Sequence, residues 1–229
     1  MGGVSAEAYR NLGDRHGLGL ALGTVGYSTI EMDPLSALES IEDWLGICEE
    51  LGDVRGQGQA LLGRSNAEFA LGRLPEARSS VERSVEFARQ AGDHWFAMFA
   101  GLFLARLKLL MGQIGDGIAD YRALLETSRA LDLRIGIAIG LEWFGEVAIW
   151  AGDVSRAVRL GAAAARIKEE LGGGIAGKMG GAVEPLVVGR EQLSAPEFDR
   201  EVAAGRVMDI DTAIEEALAT PVPTLVPSP

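Results

Sequence analysis

Cysteine is almost missing from this chain of 229 residues: Cys48 stands alone. One thiol cannot form an internal disulfide, so the fold must be held by packing, and the usage suits a reducing, cytoplasmic compartment. Cys48 itself reads as a small apolar residue on a helix. Histidine is scarce too. His16 and His94 are not at metal-ligand spacing and have no cysteine nearby, so they read as capping or surface residues. Aromatic residues make up only 6%, which argues against a sheet-based core. A basic excess is lacking: the net charge is −12 and the sequence pI about 4.7. Such a surface repels phosphate backbones, which excludes direct nucleic-acid binding by this segment. Long apolar runs are lacking as well. The longest, Phe96 to Ala105, is about half a membrane span, and Glu142 and Glu146 interrupt the stretch from Ile135 to Trp150. The start, Met1-Gly2-Gly3-Val4-Ser5-Ala6, has neither the blocks of a signal peptide nor a myristoylation signal.

What is present is repetition. Leu51-Gly52-Asp53 returns as Ala91-Gly92-Asp93, as the degraded Leu131-Asp132-Leu133 and as Leu171-Gly172-Gly173, each time after 40 residues. A second mark keeps the same step: Ala37, Ala77, Gly117 and Ala157 are all tiny. Two marks at one period predict an array of helix pairs. First helices are expected at Arg15–Ile30, Arg55–Leu71, His94–Met111 and Arg134–Ala151. Second helices are expected at Pro34–Leu51, Pro75–Ala91, Asp116–Leu131 and Ser155–Leu171. Glycines at the turns supply left-handed caps, and Pro34 and Pro75 suit helix starts. In the second pair Ala77, Val81, Val85 and Ala88 share one face, opposite Arg78, Glu82, Arg83 and Glu86. The small residue early in each second helix admits a closely packed partner.

The predicted fold is all-α: a right-handed α-solenoid of four ~40-residue helix pairs with a small helical C-terminal tail. An extra corner, Leu12-Gly13-Asp14, precedes the first pair one residue short of the usual step. It makes residues 1–12 the stub of a preceding repeat helix, so that the chain is expected to be a piece of something longer. The array spans residues 13–173 and the tail 174–219, with helical stretches at Ala182–Leu193, Pro196–Ala204 and Asp211–Ala219. Ser194-Ala195-Pro196-Glu197 has the form of a capping box. Residues 220–229 are proline-rich and read as a linker.

The pairs resemble tetratricopeptide-like repeats, in the longer variety of bacterial signalling ATPases and LuxR-family transcriptional regulators. The corner "LGD-x-R-G" and the turn Gly72-Arg73-Leu74-Pro75-Glu76-Ala77 carry the likeness. So do Arg159-Leu160-Gly161-Ala162-Ala163-Ala164, Gly205-Arg206-Val207-Met208 and Ala213 to Leu218, which resemble the tail that closes those arrays; Glu201 or Val202 falls where that tail has tryptophan. The resemblance implies a cytoplasmic, non-catalytic binding or sensor module, whose partner is a protein or peptide segment or a small effector. From the residues themselves no cofactor, no metal and no membrane contact is expected. Self-assembly through open repeat ends, giving a homo-oligomer, is the alternative.

Chemical motifs are few. Gly172-Gly173-Gly174-Ile175-Ala176-Gly177-Lys178-Met179 has phosphate-loop spacing, but Met179 stands where Ser or Thr should hold Mg²⁺ and a helix precedes it instead of a strand. No nucleophile–base set is visible. Glu142 and Glu146 can share a helix face, which alone is more often a solvated or groove-facing stripe than an acid–base pair. The repeat frame offers more. In the resembling repeats the first helix lines the concave face, and one frame position there reads Tyr27, Asn66, Arg106 and Glu146. Asn66, Arg106, Glu142 and Glu146, with Phe69, Phe99 and Trp150, are the candidate groove. The competing reading is an ion pair of Arg106 with Glu142 or Glu146 and aromatic core filling.

Overall fold

The computed structural model describes residues 2–172 and 183–224. Among these, all regular structure is helical. The helices are α1 (Gly2–Leu12), α2 (Arg15–Thr29), α3 (Pro34–Leu51), α4 (Val54–Ala70), α5 (Leu74–Gln90), α6 (His94–Leu110), α7 (Ile114–Ala130), α8 (Arg134–Trp150), α9 (Val154–Glu170), α10 (Pro185–Gln192), α11 (Ala195–Val207) and α12 (Ile210–Leu218). The all-α helical-repeat fold expected from the period is therefore the one observed. The chain forms two compact units, Met1–Leu107 and Lys108–Pro229.

The 40-residue step has a simple origin. α4 to α9 each contain 17 residues, and three residues join each to the next. Each connection must stop one helix and start another. Glycine stops it: Gly13, Gly52, Gly72, Gly92, Gly112, Gly152 and Gly172 all have positive φ, where a Cβ would be strained. Aspartate starts the next at several corners, whereas α5 and α7 begin after Arg73 and Gln113 with no side-chain cap. Asp14, Asp53 and Asp93 accept the N–H of Gly17, Gly56 and Phe96 at 2.9, 2.9 and 3.0 Å, and Asp33 and Asp153 cap α3 and α9 in the same way. The degraded corner breaks both rules. Asp132 holds φ 50° without glycine's freedom, and Leu133 stands at the start of α8 with no side-chain cap.

In the first unit α1 packs on α2, α2 on α3, α3 on α4 and α4 on α5. The tiny residues do what their spacing predicts. Ala37 and Ala77 are fully buried. A Cβ on Gly26 of α2 would lie 3.3 Å from the Ala37 carbonyl oxygen, and Ser65 of α4 donates to the Ala77 carbonyl at 2.6 Å. Gly26 and Ser65 are the small counterparts on the first helices, and Gly145 holds the same frame position in the second unit, a mark that the corner frame had not singled out. α1 stands to α2 as α3 stands to α4: Tyr9 lies against Gly17 as Cys48 lies against Gly56.

In the second unit α7 packs on α8, α8 on α9, and the tail on α8 and α9. The tail docks through glycines. Pro185 covers Gly145 and Gly161, Gly189 faces Val158, and a Cβ on Gly205 would fall 2.2 Å from the Arg159 carbonyl oxygen. Ion pairs close the contact. Arg159 reaches Glu201 and Glu216, each at 2.5 Å, Arg206 reaches Glu169 at 2.5 Å, and Arg166 donates to the Met208 carbonyl at 2.9 Å. α10 starts at Pro185, later than expected, because a residue before proline is pushed out of helix; Glu184 is extended at ψ 113°. At Ser194 both the N–H (3.1 Å) and the hydroxyl (2.6 Å) donate to Glu197.

Two measurements test these contacts. Restoring the degraded corner as Asp132→Gly with Leu133→Asp relieves a left-handed side chain and adds a cap. Equilibrium urea unfolding of the full chain should show a gain of about 1–2 kcal/mol; no gain would mean that the corner is not strained. The second concerns Glu201. Burial opposes its charge, but the hydrogen bonds from Arg159 and Arg200 more than offset this and hold its carboxyl below the ordinary glutamate range. A depressed folded-state value stabilises fully above the ordinary value of 4.5, and that stability is lost as pH falls through the folded value. Glu201→Gln should therefore lower stability at pH 7 and flatten its acid dependence in unfolding curves taken across that range.

Candidate functional site

The frame position that drew attention in the sequence falls on α2, α4, α6 and α8, and its members meet different surroundings. Tyr27 is 41% exposed, whereas Arg106 and Glu146 are 3% and 2% exposed. In the first unit Tyr27 and Trp44 frame a cleft of about 520 Å³, also lined by Leu20, Gly23, Thr24, Ser28 and Gln59. Its floor is Trp44 of α3, which reaches between helices because Gly19 and Gly23 of α2 have no side chains. A Cβ on Gly23 would lie 2.8 Å from the indole. Tyr27 lies edge-on to Trp44 (6.3 Å between centroids) and leans over Gly63, where a Cβ would meet its ring at 3.1 Å. The Tyr27 hydroxyl donates to the Gln59 carbonyl at 2.9 Å, which fixes the ring. The Thr24 and Ser28 hydroxyls turn back to their own helix. The Gln59 side-chain amide has no partner among the described residues, so it is the polar group the cleft offers.

The other candidates of this unit lie further along the frame. Asn66 is half-buried and donates to the Leu62 carbonyl at 2.8 Å, within its own helix. Phe69 packs edge-on to Phe103 (5.8 Å), and the Arg106 guanidinium carbon lies 5.5 Å from the centre of the Phe69 ring. A buried cation against an aromatic face is an ordinary way to accommodate its charge. Phe99 stacks on Trp95 at 5.5 Å, their planes 10° apart, and Trp95 is 42% exposed. The structure thus brings Phe69 and Arg106 together and gives Phe99 a partner, Trp95, that the sequence reading did not single out.

In the second unit Glu142 is half-buried and accepts from Lys168 of α9 at 2.6 Å. Glu146 accepts the Val183 N–H at 3.2 Å, next to the Gly145 that Pro185 covers. Glu142 thus meets α9, and Glu146 takes part in docking the tail. Trp150 is half-buried at the end of α8.

Among the described residues no cluster of three or more His, Cys, Asp or Glu has the arrangement to hold a metal, and no helix is long and apolar enough to cross a membrane. His16 and His94 are exposed. Most of the glycine-rich stretch with phosphate-loop spacing, residues 173–182, lies outside the described residues. What sequence reasoning missed is Trp44 and its cleft. The available signal was Gly19 and Gly23, one turn apart on α2 where an indole has to pass.

Cys48 sits in an apolar cluster with Trp44, Leu45, Ala60 and Leu61. Burial, helped by Asp53 and Glu49, pushes its thiol up to about 11. The thiolate is thus scarce at neutral pH, and the folded chain should react with a disulfide reagent at least ten-fold more slowly than the urea-unfolded chain, read by absorbance; equal rates would contradict the buried placement. No known family model matches the chain, and no curated protein sequence matches it.

Proposed function

We propose that the chain is a non-catalytic, tetratricopeptide-like binding or sensor module of a bacterial signalling or transcriptional regulator. It binds a protein segment or an effector on the face formed by the first helices of the unit Met1–Leu107. The observation that carries this reading is the cleft at Tyr27 and Trp44. It is an open, aromatic-walled recess with an unpartnered carboxamide, on the same frame position that the sequence had marked. Recesses of mainly apolar lining with a few polar groups are where ligands and peptide anchors bind. The Trp95–Phe99 stack adds exposed aromatic surface on α6 of the same unit.

A scaffold reading, in which copies join through repeat ends, draws on one feature: Leu12 of α1 and Met32 beside α3 are 79% and 81% exposed. Light scattering over a wide concentration range separates the two, since a strict monomer ends the scaffold reading.

The binding reading is tested by capture from a bacterial extract with the full chain and with Tyr27→Ala, followed by titration of the recovered partner. Wild type should retain the partner, Tyr27→Ala should weaken it at least five-fold, and Arg190→Ala on the tail should leave it unchanged. Equal affinity for all three chains would overturn the assignment of the cleft.

A further inference from the structure

Charge is unevenly spread over the repeats. The forty residues from Asp14 to Asp53 hold nine carboxylates against Arg15, whereas 54–93 hold five against six basic residues. In residues 94–133 and 134–173 the two signs balance. A net charge of −8 thus sits on the one helix pair that carries the Tyr27–Trp44 cleft. Part of it is used internally. Asp14, Asp33 and Asp53 cap helices, Glu50 pairs with Arg15, and Glu42 lies 3.9 Å from Arg64. Glu31, Glu39, Asp43 and Glu49 are exposed and have no cationic partner among the described residues. Glu31 follows Tyr27 by four residues, whereas Glu49 stands in the last turn of α3, where the helix dipole disfavours an anion. At the equivalent positions of α5 and α7 the chain has Arg89 and Arg129.

The Trp44 floor of the cleft belongs to this pair and has no counterpart in the next, whose α4 supplies Gln59 to the lining. The position of Gly23 is Leu62 in the next pair, and that of Trp44 is Ser84, whose hydroxyl is spent on the Gly58 carbonyl. No basic side chain lines the cleft, so nothing there would neutralise an anion. Aromatic faces inside a negative field favour a cation with an apolar stem.

We infer that the cleft receives an arginine or lysine side chain from a basic segment of a partner protein, with the acidic first helix pair as its electrostatic guide. This rests on the binding reading of the same cleft and adds the chemistry of the occupant. The stem of such a side chain would lie along Leu20, its head over the Tyr27 ring, and the Gln59 amide would accept from the segment. Field and cleft then serve different steps, since long-range charge speeds encounter and the ring holds the docked cation.

The probes are fluorescein-labelled nona-arginine, nona-glutamate and a neutral Gly-Ser nonapeptide, followed by anisotropy on the full chain at several salt concentrations. Nona-arginine should bind and weaken steeply with salt, and the other two should not bind. Tyr27→Leu keeps the apolar bulk and removes the ring face, so it should weaken nona-arginine about two- to five-fold. Tyr27→Phe should bind like wild type. Replacing Glu31, Glu39 and Asp43 by their amides should flatten the salt dependence. Tight binding of the neutral or acidic peptide, or indifference of nona-arginine to Tyr27→Leu, would overturn the inference. If the captured partner depends on Tyr27 while nona-arginine does not bind, the cleft stands and only its cationic occupant falls. If neither depends on Tyr27, both readings fall.

Discussion

A left-handed residue at most corners, joined at several of them by an aspartate cap, is the constraint on which the structure depends. Two or three residues between most of the helices leave no room for a gradual turn, so the last N–H and carbonyl groups must be satisfied within the corner itself. At Gly52-Asp53 the backbone does both. The Gly52 N–H bonds to Glu49, the Asp53 N–H bonds to Cys48, and the Asp53 carboxylate takes the Gly56 N–H. Glycine is needed because of its positive φ, and aspartate because a short acceptor must reach three residues forward. Two seventeen-residue helices between such corners bring the same residues back to the same places. Repeat-frame comparison is meaningful for that reason.

Given equal helices, what distinguishes one pair from another is where side chains are withheld. Tiny residues at Ala37, Ala77 and Ala157 let helix backbones meet, and the tail is seated on Gly145 and Gly161 by Pro185. The same device has a different outcome in the first pair. There Gly23 makes room for an indole from the neighbouring helix, and the space in front of it stays open as a cleft. Loss of a side chain thus serves packing in one place and opens a recess in another, depending on whether a neighbour fills the gap.

Electrostatics divides the chain in a similar way. Where the tail meets α9, Arg159 is shared between Glu201 and Glu216, and burial makes each pairing matter because an unpaired partner would be left in a poorly solvated place. On α5, Arg78 and Glu82 form the half-buried i, i+4 pair that a helix allows. The first pair shows neither pattern. Its carboxylates are exposed and mostly without cations, a cost in self-repulsion that folding alone does not call for.

The helices, the corners and the all-α repeat were legible in the sequence, because they follow from local chemistry: Gly-Asp corners, prolines at helix starts and a period that two marks keep. Even the degraded Leu131-Asp132-Leu133 was readable, since its defect is local. The fate of the candidate residues was not legible. Arg106, Glu142 and Glu146 share a helical environment in sequence, and among their contacts Glu142 meets Lys168, Glu146 meets the backbone of Val183, and Arg106 lies on Phe69. Those partners are 26, 37 and 37 residues away. Periodicity tells which face a residue takes; only packing decides what that face meets. Trp44 makes the point most directly. Its helix and its apolar character follow from the sequence, but its place as the floor of a cleft depends on glycines of another helix lying opposite it. That arrangement exists only once tertiary contacts have formed.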